Sequence, residues 1–448
     1  MRKTISEALA ELSSGKSTST ELTQLAISRI LDPSGEGSRA FIGGVRASAI
    51  AQAHAADRTD MSKYSRTLAG IPLSIKDLFN VRGDITRAGS RVLSEHVADD
   101  DCTVTQRLLS AGAVLIGRTN MSEFAYTGIG INPHYGTPLN PWDRATGRIP
   151  GGSSSGAAVS VADGMCIAAI GTDTGGSCRI PAALCGLVGF KPSAGTISSN
   201  GIVPLSPSLD SIGSIANSVE CCAILDQVLR GEKISSLHTA SVSGLRVGVP
   251  ANYMLDDLDD EVAAAFSQAL EQLSASGAVI SKVHFKSLSR LGEMISNGGI
   301  VAAEAYAWHR DLLAKQANLY DPLIRKRIEA GKSITKIEYS KLLLKREELS
   351  LLFADESSEF DVLAMPTVPI VAPAIMTLAD EDEYYRINKL LLRNTSPANM
   401  FGSGAISVPI HSSEKAPVGL MLMGHRNADR RLFEIAQGVS NMCAHYVM

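Results

Sequence analysis

Short apolar runs alternate with amphipathic stretches along the chain, and this alternation restricts the fold more than any other feature. "AGIPLSIKDLF" reads as a short buried strand, Ile71 to Ile75, that ends in polar residues. "TVTQRLLSAGAVLIGRTN" reads as a helix, then Gly112 as its cap, then a strand from Ala113 to Ile116. "CIAAIGTDTGGS" reads as a strand, Cys166 to Ile170, that runs into a glycine-rich loop. The pattern returns in the strand "LRVGVP", the helix "DEVAAAFSQALEQLSASG" closed by Gly277, and the strand "AVISKVHF". Near the start, Thr4 with Glu7 and Thr18 with Glu21 form capping boxes ahead of two amphipathic helices. Strands that are apolar throughout must be covered on both faces, so the expected class is α/β.

The chain has 448 residues, 45% of them hydrophobic and 20% charged, enough to bury a large core and still shape a deep pocket. Its net charge is -4 and it has no long basic run, which argues against nucleic acid or an anionic membrane as the main partner. Seven scattered cysteines show neither a CxxC pair nor zinc spacing, so free thiols in a reducing cytoplasm are expected. "MRKTISEALAEL" is too polar for a signal peptide, and no apolar stretch reaches the roughly 18 residues of a membrane span. Residues 230–244 read as a polar connection between two lobes, residues 286–360 as largely helical and charged, and "FDVLAMPTVPIVAP" as a strand followed by an extended proline-rich segment.

Two glycine-serine clusters interrupt the alternation: "RIPGGSSSGAAVS", with Ser153, Ser154 and Ser155, and "GTDTGGSCRIPAA", with Ser177. Gly-Ser runs are commonly turns or linkers, but both clusters here are hemmed in by apolar segments. A phosphate cradle would need a GxxxxGK[ST] run or a GxGxxG after a strand, and neither occurs. "GSSSG" matches a nucleophile elbow centred on Ser154, with His411 or His425 as a distant partner. That motif should follow a strand, and "NPWDRATGRIP" does not read as one.

A serine can instead be activated by lysine. A neutral amine takes the hydroxyl proton if burial lowers its pKa from about 10.4 toward about 7–8, a shift worth about 3–4 kcal/mol. The lysine must then sit at the end of a buried strand. Lys76 in "IPLSIKDLF" does so, although a lone strand-end lysine is commonly solvated or salt-bridged.

With these motifs in view, the chain resembles the amidase signature family. The resemblance covers nearly the whole length and is carried, in family order, by "STELTQLAISRI", "LAGIPLSIKDLF", "AGAVLIGRTNMSEFAYTG", "HYGTPLNPWD", "PGGSSSGAAVSVADG", "GTDTGGSCRIPAALCGLVGFKPS", "PSLDSIGSIANSV" and "PVGLMLMG". It implies the amidase signature fold: one domain over residues 1–448, with a large mixed central β-sheet covered by helices on both faces. The motifs occupy a core at about 65–220, and a variable region at about 286–398 shapes the substrate site.

By position, the resemblance makes Lys76 the catalytic lysine, Ser153 a bridging serine on a cis peptide, and Ser177 the nucleophile. The separation, 177 − 153 = 24, is the family's own. The backbone N–H groups of Thr174, Gly175, Gly176 and Ser177 would form an oxyanion hole. Ser154 would hydrogen-bond near the substrate, and Ser155 stands where the family more often has glycine. Tyr126 and Thr127 fall where relatives line the acyl pocket, with ordinary core packing as the alternative. Asp173 and Arg179 read as an ion pair shaping the loop, the alternative being that Arg179 holds a substrate carboxylate. Cys178 reads as a small buried filler and His134 as a structural hydrogen-bonding residue.

No metal or organic cofactor is implied. The implied activity is hydrolysis of a small or medium carboxamide, or a related carbamate or ureide, through an acyl-enzyme on Ser177. The alternatives are the glutaminase component of a tRNA-dependent amidotransferase, its A subunit, which needs partner subunits, and a non-catalytic binding protein. The shortish variable region leans toward a stand-alone hydrolase. Family members are often dimers, so a homodimer is one assembly open to such a chain.

Overall fold

The computed structural model describes residues 3–58, 68–295 and 298–443. The ends of the chain, and residues 65–67 at the start of the expected core segment, lie outside the described residues. Both N-terminal capping boxes form: Thr4 caps the helix Ile5–Ser13, and Thr18 caps Ser19–Ile30, each with reciprocal bonds to its glutamate. Such caps satisfy N–H groups that have no partner inside the helix.

Among the described residues, eleven strands join one sheet. In chain order they are β1 (Phe41–Val45), β2 (Pro72–Lys76), β3 (Val114–Thr119), β4 (Ala168–Asp173), β5 (Val188–Lys191), β6 (Ser211–Ala216), β7 (Arg246–Pro250), β8 (Val279–Val283), β9 (Val362–Pro366), β10 (Ala405–Pro409) and β11 (Gly419–Met423). Their spatial order is β1-β3-β2-β4-β6-β5-β10-β11-β9-β7-β8. The sheet is mixed. Strand β2 runs parallel to β3 and β4, and β7 runs parallel to β8 and β9, while the strands between these groups pair antiparallel.

Both faces are covered. Leu115, Ile170 and Ile212 point into a core shared with Val219, Cys222 and Leu225 of the helix Val219–Arg230. Their chain neighbours Ile116 and Ala169, with Ile215, point the other way, onto Ala157, Ala158 and Val161 of the helix Ser155–Ala162. This period-2 division of apolar side chains is what a doubly covered sheet requires.

Three strand boundaries differ from expectation. Strand β2 starts and ends one residue later, β3 runs on to Thr119, and β4 runs from Ala168 to Asp173. In β3 and β4 the sequence reading stops short of Gly117 and Gly171, residues that weaken an isolated strand. Here each glycine admits a neighbour. A Cβ on Gly117 would lie 2.5 Å from the Phe41 ring, and one on Gly171 would lie 2.8 Å from Ser154 Oγ. Gly112 sits just past the helix Thr103–Ser110 with φ +85°, as a terminating glycine does. The connection after residue 230 has no regular structure, but it is packed down: Ile234, Leu237 and Val242 lie against the core, and the Ala240 N–H donates to the Glu434 carbonyl at 3.0 Å.

Gly156 lets the helix Ser155–Ala162 pass the backbone of the adjacent segments. A Cβ there would lie 2.2 Å from the Ala40 carbonyl oxygen and 2.7 Å from the Asn120 nitrogen. Backbone atoms cannot swing aside, so Gly156→Ala is expected to destabilise by about 1–3 kcal/mol, read as a lower urea midpoint. Gly292→Ala, where a Cβ meets nothing within 4 Å, should stay within about 0.5 kcal/mol of wild type. Equal midpoints for the two variants would refute the close-approach account.

Candidate active site

Lys76 is the last residue of β2 and sits between β3 and β4. The parallel register Ile75↔Ile170 sets it level with the end of β4. The strand is buried throughout, and Lys76 is 0% exposed. Its Nζ donates to Ser153 Oγ at 2.7 Å and to Thr172 Oγ1 at 3.0 Å. Both partners are uncharged hydroxyls. Burial lowers the amine pKa to about 8, against the opposing pull of acidic groups that include Asp173 and Asp210.

The two serine clusters meet. The Ser154 N–H donates to the Ser177 carbonyl at 3.2 Å, and the Ser122 N–H donates to the Ser153 carbonyl at 3.0 Å. The Gly152–Ser153 peptide is cis. Ser153, Ser154 and Ser155 are all fully buried. Ser154 Oγ turns inward toward the Thr172 carbonyl at 3.4 Å, so this serine ties the first cluster to β4. Ser155 opens the helix Ser155–Ala162. No strand precedes Ser154 between residues 126 and 154, and His425 donates to the Phe360 carbonyl, so the elbow reading has no structural support.

The second cluster is built around Asp173. Burial alone would raise this carboxyl, but Arg179 and the surrounding donors bring it down to about 2. Arg179 Nη2 and Nε donate to it at 2.8 and 3.1 Å, and both side chains are 0% exposed. Arg179 also donates to the Thr395 carbonyl and to Asn399 Oδ1, each at 2.8 Å. It is the ion pair expected from sequence, and buried in this way it cannot reach a substrate carboxylate.

One of the four expected oxyanion donors needs correction. The Gly176 N–H donates to Asp173 Oδ1 at 2.8 Å because the loop curls back over that carboxylate. Gly176 has φ +138°, and a Cβ there would lie 2.2 Å from Thr395 Oγ1, so the turn demands glycine. Ser177 is 3% exposed, and Thr174 Oγ1 donates to Asp210 Oδ1 at 2.5 Å. Cys178 is fully buried, and burial pushes its thiol up to about 12, as befits a filler.

The late helices reach the same place. Tyr126 is buried with the Arg327 guanidinium 4.6 Å above its ring, and Thr127 Oγ1 donates to Asn388 Oδ1 at 2.8 Å. His134 Nε2 pairs with buried Glu123 at 2.9 Å, the structural role expected for it. Sequence reading missed Thr172, Asp210, Arg327 and Asn399. The one signal available for Thr172 was a hydroxyl at the polar end of a buried strand, on the Lys76 side of the sheet.

A family model described as Amidase matches residues 22–433. The 2-amino-5-chloromuconic acid deaminase of Comamonas testosteroni is 35% identical over 375 residues, 83% of this chain and 81% of that protein. The A subunit of a glutamyl-tRNA(Gln) amidotransferase, from Chromohalobacter salexigens, is 34% identical, covering 97% of this chain and 95% of its own. A crystal structure of an amidase superposes with a TM-score of 0.89 at 31% identity, covering 98% of this chain and 100% of the other. The chain belongs to the amidase family. It is a hydrolase of non-peptide C–N bonds.

Removing Arg179 would leave Asp173 buried without its cation. Arg179→Met is expected to cost about 3–5 kcal/mol, measurable by urea unfolding. Asp173→Asn with Arg179→Met should recover part of that loss, and a double variant no more stable than Arg179→Met would count against a coupled pair.

Proposed function

We propose that this chain is a one-domain amidase that cleaves a small or medium carboxamide, or a related carbamate or ureide, to the acid and ammonia or an amine through an acyl-enzyme on Ser177. The observation that carries the reading is the 2.7 Å contact between a fully buried Lys76 and Ser153, next to the loop that bears Ser177. A neutral lysine keeps two N–H donors and one lone pair. One N–H stays on Thr172, and the lone pair turns to accept the Ser153 proton. Ser153 in turn takes the proton of Ser177, whose Oγ attacks the carbonyl. The C–N bond then breaks as the relay returns the proton to the leaving nitrogen, and water cleaves the ester.

Thr174, Gly175 and Ser177 supply the N–H donors for the developing oxyanion, each worth about 3–4 kcal/mol in comparable sites. Gly176 acts instead by holding the loop on Asp173. Tyr126 and Thr127 line the acyl side, oriented by Arg327 and Asn388, and Ser154 fixes the distance between the two serine loops. The single sheet supports the one-domain reading.

Seven buried cysteines, none of them in a disulfide, support a reducing cytoplasm as the location. Among the described residues no helix is long and apolar enough to cross a membrane. The partner reading is a small amide, with a homodimer as the assembly to test.

A second reading is favoured by the near full-length similarity to amidotransferase A subunits. In it the chain would release ammonia from glutamine within a complex. Glutamine-dependent ammonia release that requires a co-purifying partner would support this reading; amide hydrolysis by the pure chain would support the first.

Two results test the relay. A fluorophosphonate probe should add once, on Ser177, and the adduct should vanish in Ser177→Ala and fall at least about 100-fold in rate in Lys76→Ala. An adduct on Ser154 would overturn the assignment. The labelling rate should also follow the neutral amine. With a pKa of about 8, about a tenth of Lys76 is neutral at pH 7, so the rate should climb roughly tenfold to a plateau above about pH 9. A flat profile from pH 6 to 10 would refute lysine as the base.

A further inference from the structure

A cavity of about 200 Å³ borders this site at Thr172, a hydrogen-bond partner of Lys76. Leu78, Ala125, Ile202 and Ile212 give it apolar walls, and Thr172 and Asp210 add polar side chains. Thr172 connects it to the chemistry: this residue lines the cavity, and its hydroxyl takes the second hydrogen bond from Lys76 Nζ. Asp210 is the one charged residue of the wall among the described residues.

The Asp210 carboxylate is only partly satisfied. Oδ1 accepts from Thr174 Oγ1, and Oδ2 accepts from the Leu205 and Ser206 N–H groups at 3.0 and 3.1 Å. A carboxylate has about four acceptor positions, so one remains for a further donor. The loop that carries these groups is braced from the variable region. Ser206 Oγ and the Ser208 N–H donate to Glu304 Oε2, and the Tyr339 hydroxyl donates to Glu304 Oε1.

The direction of the reaction says which half of a substrate belongs here. The carbonyl oxygen faces the donors of the 174–177 loop. The leaving nitrogen must face the groups that return its proton, Ser153 and Lys76. Whatever the nitrogen carries therefore extends to the lysine side, where the cavity lies. We propose that the cavity is a subsite for the amine half of the substrate, and that it selects amides of short alkyl or cycloalkyl amines over primary amides. The assignment rests on the relay described above.

The step balances. Ser177 Oγ–C forms, C–N breaks, and the relay proton returns to nitrogen. The free amine then takes one further proton from solvent, and the resulting ammonium pairs with Asp210 while its hydrocarbon lies on Leu78 and Ile202. At about 30 Å³ per water-sized group, the space holds on the order of six or seven non-hydrogen atoms, the size of pentylamine or cyclohexylamine.

The test uses n-pentylammonium and its neutral isostere 1-pentanol as probes. Each is titrated calorimetrically into the full-length wild type, Asp210→Asn and Ile202→Trp, and Ser177 labelling by the fluorophosphonate is followed in parallel. The expected result is binding of the ammonium at least tenfold tighter than the alcohol, weakened at least tenfold in both variants, together with slower labelling when the ammonium is bound. Equal affinity for ammonium and alcohol, or unchanged binding in Ile202→Trp, overturns the assignment. Should a variant fail to fold by circular dichroism, the ammonium–alcohol comparison on wild type decides. Labelling of Ser177 without ammonium binding would sink the cavity assignment alone, whereas ammonium binding without labelling would sink the relay reading.

Discussion

The carboxylate of Asp173 is the point on which the rest of the site hangs. A buried carboxylate is tolerable only with charge and hydrogen-bond partners. Here the partners are the Gly176 and Cys178 N–H groups, the Arg179 guanidinium and the Asn399 side-chain amide. Those contacts bend the chain after β4 into the loop that carries Ser177, and they tie it to a segment more than 200 residues later. The loop's shape is thus a consequence of satisfying one charge. Gly176 is required because that curl brings the backbone against Thr395 at a φ no ordinary residue adopts.

Lys76 shows the opposite electrostatic solution within the same core. Asp173 is held ionised because a cation touches it. Lys76 is given only hydroxyl partners, Ser153 and Thr172, so burial acts on it with little direct compensation and lowers its pKa to about 8. One sheet does both. Strand β2, covered on each face and flanked by β3 and β4, keeps its terminal side chain buried. The burial that forms the core is therefore also what lowers the pKa of this amine.

The late helices complete the site and do not merely cover it. Arg327 sits over Tyr126, Asn388 holds Thr127, Thr395 and Asn399 hold the loop that carries Ser177, and Glu304 braces the loop that bears Asp210. The glycine-serine loops carry the motifs, while the side chains that brace them come from a segment with few motifs of its own.

The sequence by itself determined the α/β class, the capping boxes, the positions of Lys76 and the two serine clusters, and the Asp173–Arg179 pair. These are local patterns: apolar runs, caps, and polar residues held at short spacing around a turn. Strands β1, β5, β6, β10 and β11 were not legible because they are four to six residues long and several are broken by glycine or serine, so only pairing with neighbours makes them strands. Tertiary structure alone decided that Gly176 turns its N–H to Asp173, that Ser154 points inward, that Thr172 shares the lysine, and that Asp210 opens on a cavity beside it. Each of these depends on atoms brought together from distant parts of the chain, and burial and hydrogen-bond satisfaction act on that assembled neighbourhood, which no stretch of sequence contains.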